Sequence, residues 1–256
     1  MDFGQWIIIG VAVVGSAIIK NGVGIGAGLF MLPFLALVMD SKLALAIGAP
    51  AMLISDIVGL KTYWREWDTE ELKRLVPTGL AGVILGGYMV TIIPGSWFRL
   101  GIGILSVLFA GFQLFKMVKQ RGQSRGKVEK ASCGVRARGF GAWIFGFLGG
   151  VASAIAHAGG MVMSMYMIST LRDKRCFVGT FIFFIAMTNA MKMLTYFKIG
   201  ILTSDVALWV GVMSPLIICG GFLGNYMNQR VSQETFRTVV LVIIFVLGLR
   251  IAWTSC

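Results

Sequence analysis

Two glycine-rich runs, each in the middle of an apolar stretch, hold the backbone chemistry available to this chain. The first, Asn21-Gly22-Val23-Gly24-Ile25-Gly26-Ala27-Gly28, interrupts the segment from Trp6 to Met39, and the second, Ala156-His157-Ala158-Gly159-Gly160, interrupts Phe140 to Leu171. Each segment exceeds the roughly 20 residues that one membrane crossing needs. Glycine in a helix interior costs roughly 1 kcal/mol against alanine, so each run reads as a helix broken at mid-depth. A half-helix beginning at such a break ends in unpaired N–H donors carrying partial positive charge, which bind an anion without any basic side chain. Gly24, Gly26 and Gly28 in one run, and Gly159 and Gly160 in the other, are the candidate backbone contacts. For either run taken alone, tight helix packing is an equal alternative, but two matched runs favour the site.

Ionisable and polar side chains near the breaks extend this reading, because charged groups inside apolar spans are costly and mark functional sites by default. Asp56 is the only acid in the interior of a predicted span. It could carry a coupling H+ or Na+, or pair with a lysine in a structural ion pair. Ser55-Asp56 in the first half corresponds to Thr188-Asn189 in the second, each on the helix after a break, and Ser55, Thr188 and Asn189 offer hydroxyl or amide donors. His157, the only histidine, sits within the second break, where it could contact an anion, shuttle a proton or be a satisfied structural residue. Lys20 and Asn21 flank the first break and could play the complementary part. Lys192 lies one helical turn beyond Thr188-Asn189; it could face the same cavity, but snorkelling to the headgroups is the stronger expectation so near a helix end. The chain lacks H-E-x-x-H, a G-x-S-x-G elbow and paired intramembrane carboxylates, which argues against an enzyme. Its four cysteines form no C-x-x-C pair, so no metal and no cofactor is expected.

The elements that must hold these residues are membrane helices. With 57% hydrophobic and 13% charged residues and a mean hydropathy of +0.84, the chain falls well short of the about 25% charge typical of soluble domains. The net charge of +12 is expected to fix orientation rather than to bind nucleic acid. Met1-Asp2-Phe3-Gly4 lacks a basic n-region, so no removable signal peptide is expected. Apolar spans are predicted at 43–60, 75–93 and 97–117, then at 176–194, 205–227 and 235–253, and all seven tryptophans fall near span ends. Gly28, Met31 and Lys42 align with Gly160, Met163 and Lys174, and Gly82, Gly86 and Tyr88-Met89 with Gly220, Gly224 and Tyr226-Met227. Such matches point to a duplication. The expected fold is an all-α polytopic membrane protein with two homologous repeats, 1–118 and 139–256, each a broken segment, re-entrant or made of half-helices, plus three transmembrane helices. A basic linker, 119–138, joins them on the cytoplasmic side, where its lysines and arginines could also bind anionic headgroups. Re-entrant breaks would invert the repeats and place more basic residues inside than single crossings would, so the inverted arrangement is favoured. Gly79, Gly82, Gly86 and Gly87, with Gly211, Gly220, Gly221 and Gly224, are expected to let helices approach closely.

At Gly22-Val23-Gly24-Ile25-Gly26-Ala27-Gly28 with Pro33, at Phe177-Val178-Gly179-Thr180, and in the four-element repeat, the chain resembles the sulfite exporter TauE/SafE family over nearly its whole length. It departs at Ala156-His157-Ala158-Gly159-Gly160, where the family is often glycine-rich and this chain adds a histidine. The resemblance implies transport of small sulfur-containing or organic anions, such as sulfite, sulfoacetate or other sulfonates, across a prokaryotic inner membrane. Together with the anion-site argument, it gives the expectation of a multi-pass secondary transporter, an exporter, working by alternating access with substrate at the half-helix N-termini. An anion-selective channel and a membrane scaffold or assembly factor are the alternatives. The expected partners are a small anion substrate, a coupling H+ or Na+ and the lipid bilayer, with homo-oligomerisation left open.

Overall fold

Capping residues, glycine breaks and one proline divide the chain into its helices. The computed structural model describes residues 3–22, 26–120, 139–170, 174–230 and 233–255. Among them run eleven helices: α1 (Phe3–Gly22), α2 (Ala27–Ala36), α3 (Ser41–Thr62), α4 (Thr69–Ile92), α5 (Gly95–Gln120), α6 (Gly139–Ala156), α7 (Gly159–Thr170), α8 (Lys174–Lys198), α9 (Ser204–Val212), α10 (Ser214–Arg230) and α11 (Gln233–Ser255). Asp40 starts α3 by accepting from the Lys42 N–H at 2.8 Å, and Asp68 starts α4 by accepting from Glu71 N–H at 3.0 Å. The sequence predicts one helix over 205–227. The chain instead bends by 52° between α9 and α10, where Pro215, just inside α10, has no N–H to give to the preceding turn. Nearly all of the linker 119–138 lies outside the described residues, as do Arg172 and Asp173.

Six of the helices are long and apolar enough to cross a bilayer, or seven if the bent α9–α10 pair counts as one span. Large apolar side chains are left exposed on their outer faces, among them Ile92, Trp97, Leu208, Val212 and Trp253. An apolar surface of this extent is stable only against lipid. The chain is a multi-pass membrane protein.

Both broken segments fold back on themselves. Along α1 and α2, Gln5 donates to the Val38 carbonyl at 3.4 Å and Ser16 Oγ lies 3.5 Å from Met31 Sδ, so the segment returns toward the level at which it began. In the second segment the rings of Phe145 and Tyr166 stack 5.4 Å apart, and a Cβ at Gly159 would lie 2.6 Å from the Gly149 carbonyl oxygen. Left-handed backbone makes the turns: Gly26 has φ +91°, and His157 adopts φ +51° despite its side chain. The two turns meet, since a Cβ at Gly28 would collide with the carbonyl oxygen of His157.

Glycine faces bring the remaining helices close. α4 packs along α6, where a Cβ at Gly82 would strike the Phe147 carbonyl and one at Gly150 the Gly79 carbonyl. α10 packs along α1, where a Cβ at Gly224 would strike the Ile18 carbonyl. α5 pairs with α11 through Gly103 and Gly248, and α3 pairs with α8. Gly211 takes no part in this packing, because nothing lies within 4 Å of the Cβ it lacks.

Candidate functional site

The meeting point of the two turns is a small cavity of about 50 Å³ between the starts of α2 and α7. That is room for about four waters or one compact oxyanion. Gly26, Ala27 and Gly28 of α2 and Gly160 of α7 form its backbone wall, Lys20 and Met52 enter from α1 and α3, and Ser153 and His157 enter from α6 and its turn. From α8 come Phe181, Ile185, Asn189 and Lys192, spaced at three or four residues so that one stripe of the helix faces inward.

The helix starts offer free donors. Gly26 caps α2 without a side-chain bond, and the first bond of the helix runs from Phe30 N–H to the Gly26 carbonyl at 2.9 Å. The N–H groups of Ala27, Gly28 and Leu29 therefore have no acceptor within the helix. At α7 the first such bond runs from Met161 N–H to the Ala158 carbonyl at 3.0 Å, leaving Gly159 and Gly160 in the same state.

Two polar chains surround this space. In one, Lys20 Nζ lies 2.6 Å from Asp56 Oδ1 and donates to the Met52 carbonyl at 2.9 Å, while Asn189 Nδ2 donates to Asp56 Oδ2 at 2.7 Å. This joins α1, α3 and α8 around a fully buried carboxylate. In the other, Lys192 Nζ lies 2.6 Å from His157 Nδ1 and donates to the Ser153 carbonyl at 3.2 Å and to Ser153 Oγ at 3.3 Å. His157 Nε2 is buried against Gly48, beside the Leu45 backbone, without a hydrogen bond of ordinary geometry. Among the described residues Lys192 has no carboxylate within ion-pair distance, although the residue is only 1% exposed. At ordinary ionisation two ammonium groups face one carboxylate, and the site carries one uncompensated positive charge.

The sequence-predicted residues divide accordingly. Lys20, Gly26, Gly28, His157, Gly160, Asn189 and Lys192 come together at the cavity. Asp56 stands one layer behind it, held by Lys20 and Asn189. Gly159 packs on Gly149 and Ser153 instead of lining the space. Ser55 is taken up by Asn21, whose amide donates to it at 3.0 Å, and Thr188 donates to the Ile185 carbonyl at 2.9 Å with its methyl turned to Gly79 of α4. Neither hydroxyl lines the cavity. Gly24 lies outside the described residues. Lys192 does not snorkel, because α8 continues to Lys198 and leaves it well inside the helix. Sequence reasoning missed Ser153, Met52, Phe181 and Ile185. The signal for three of them was helical spacing: Ser153, Met52 and Ile185 each stand four residues before His157, Asp56 and Asn189.

Comparison with curated proteins and with solved structures gave no match. A family model does match: that described as sulfite exporter TauE/SafE covers residues 7–251, which takes in both broken segments and every residue of the cavity. The chain belongs to the sulfite exporter TauE/SafE family.

Proposed function

We propose that this protein is a secondary transporter that exports small sulfur-containing or organic anions, sulfite foremost, across a prokaryotic inner membrane by alternating access, with the cargo held in the cavity between α2 and α7. Family membership gives the coarser statement, a membrane transporter of sulfur anions such as sulfite. The observation that carries the finer one is Lys192: a buried lysine with no carboxylate partner among the described residues, in a cavity flanked by two helix starts with free N–H groups. Three acceptor oxygens on one small anion match that donor set, and charge-assisted hydrogen bonds of this kind are the strong ones. The cargo supplies the negative charge that the empty site lacks.

Both fold-back segments support inverted repeats, since a hairpin adds no net crossing and leaves three spans per half. The packing supports the same plan: α4 lies on α6 as α10 lies on α1, while α3 with α8 and α5 with α11 pair between halves. Asp56 is engaged by both Lys20 and Asn189, so the coupling ion, H+ or Na+, would act on this ion pair and break it.

Uptake of radiolabelled sulfite into proteoliposomes, with and without imposed proton and sodium gradients, tests the reading. Saturable flux driven by one gradient is the expected result and names the coupling ion. Non-saturating flux that follows membrane potential alone would replace the carrier with a channel, and no flux of any anion would overturn transport of these cargoes.

A further inference from the structure

The cavity also has an apolar lining, and its residues are not equivalent. The spacing that aligns Ser55-Asp56 with Thr188-Asn189 also aligns Met52 with Ile185 and Gly48 with Phe181. Met52 and Ile185 both line the cavity, one from α3 and one from α8. At the third position the two helices differ. Gly48 leaves a slot on α3 that the His157 imidazole fills, with ring Cδ2 2.9 Å from where a Cβ would stand. Phe181 on α8 instead projects a ring across the start of α7, with its Cζ 3.1 Å from where a Cβ at Gly160 would stand. That ring is fixed from behind by stacking on Phe177, with centroids 6.1 Å apart and planes 13° from parallel.

We propose that Phe181 is the specificity-determining residue of this site, the ring that limits cargo to a compact oxyanion and leaves no room for the carbon tail of an organosulfonate. The inference rests on the anion-site reading above and narrows it. An R–SO3⁻ ion whose oxygens sit on the N–H groups of α2 and α7 has to lay its R group against the apolar side chains of the lining, Met52, Ile185 and Phe181. Of these, Phe181 reaches closest to the start of α7, its Cζ 3.1 Å from the Cβ position of Gly160 against 3.9 Å for Ile185 Cδ1. A cavity of about 50 Å³ suits a compact headgroup, and any carbon tail would have to share that space with these side chains. Truncating the ring opens apolar space where the tail would lie, and apolar space of that kind favours burial of CH₂ groups.

The test compares wild type with Phe181→Ala and Phe181→Leu, using unlabelled methanesulfonate, ethanesulfonate and taurine as competitors of labelled sulfite in proteoliposomes. Stabilisation of the detergent-solubilised protein by the same anions is measured in parallel. In wild type, ethanesulfonate should compete at least 10-fold more weakly than sulfite. Phe181→Ala should narrow that gap at least fivefold, with Phe181→Leu intermediate. Phe181→Leu keeps the wall apolar, so it serves if the alanine variant fails to fold. Equal competition by ethanesulfonate and sulfite in wild type, or an unchanged gap in both variants, overturns the proposal. The stabilisation ranking does not depend on turnover: a protein that binds sulfite selectively but moves none refutes export and leaves the size limit standing. Absence of stabilisation by any of these anions overturns both.

Discussion

Replacing Lys192 with methionine separates a ligand-binding ammonium from a structural one. The side chain is buried and unbranched, so methionine preserves most of its volume while removing the charge. A hydrogen bond to a charged group contributes about 1.5–3 kcal/mol. The Coulomb term for a 4 Å contact at an effective dielectric of 20 is about 4 kcal/mol, an upper bound. Lys192 already holds His157 and Ser153, so a bound anion must share or displace one of those contacts. That competition puts the net loss near 2 kcal/mol, a roughly 30-fold weaker Kd. The empty protein should respond in the opposite sense. Removing a buried cation with no counter-ion relieves a desolvation cost of several kcal/mol, which offsets the lost contacts to Ser153 and His157. The empty variant should therefore unfold at a temperature no lower than wild type. Sulfite affinity by calorimetry in detergent, the KM in proteoliposomes and thermal unfolding without anion read the three quantities. A KM within threefold of wild type, or an empty variant that unfolds several degrees lower, would refute the reasoning and make Lys192 a packing residue.

The Lys20–Asp56 pair should behave differently: Lys20→Met strands a buried carboxylate on Asn189 and should cost about 3–5 kcal/mol, whereas Lys20→Met combined with Asp56→Asn should recover most of it in a thermal-unfolding cycle. Gly28→Ala and Gly48→Ala each drive a methyl into His157 and should cost about 1–3 kcal/mol and most of the sulfite flux, read by unfolding and by uptake. Gly82→Ala forces α4 off the Phe147 carbonyl of α6 and should destabilise by a similar amount, while Gly211→Ala, facing open space, should shift stability by no more than about 1 kcal/mol. Equal effects of Gly82→Ala and Gly211→Ala in the same unfolding assay would contradict the close approach of α4 and α6.

Helix existence and break points were legible because each rests on local chemistry: long apolar runs, dense glycine and an Asp before a helix start. The break between α6 and α7 falls at His157-Ala158, inside the glycine run that predicts it. Pairing was less legible, since which helix meets which depends on contacts between residues far apart in the chain. The glycines of α4 announce close packing but not that α6 is the partner. Side-chain direction was least legible. Ser55 and Thr188 have the right chemistry for a donor, yet one is engaged by Asn21 and the other by its own helix. Lys192 was misplaced because the predicted end of α8 fell four residues short, which moved an interior lysine to a boundary. Phe181 looks like any core aromatic in sequence and gains meaning only beside Gly160.

The packing of α10 on α1 bears on how the chain is made. The hairpin of α1 and α2 is translated well before the helix that packs along α1, which begins at Ser214. At about 5–20 residues per second, roughly 10–40 s separate the two events. The turn at Gly26, with its unbonded N–H groups, is enclosed by Phe109 of α5, His157 and Ile244 of α11, and the last of these follows α10, so until then it lacks part of the enclosure that lipid cannot provide. The first segment therefore reaches its final packing only when the last third of the protein arrives to receive it.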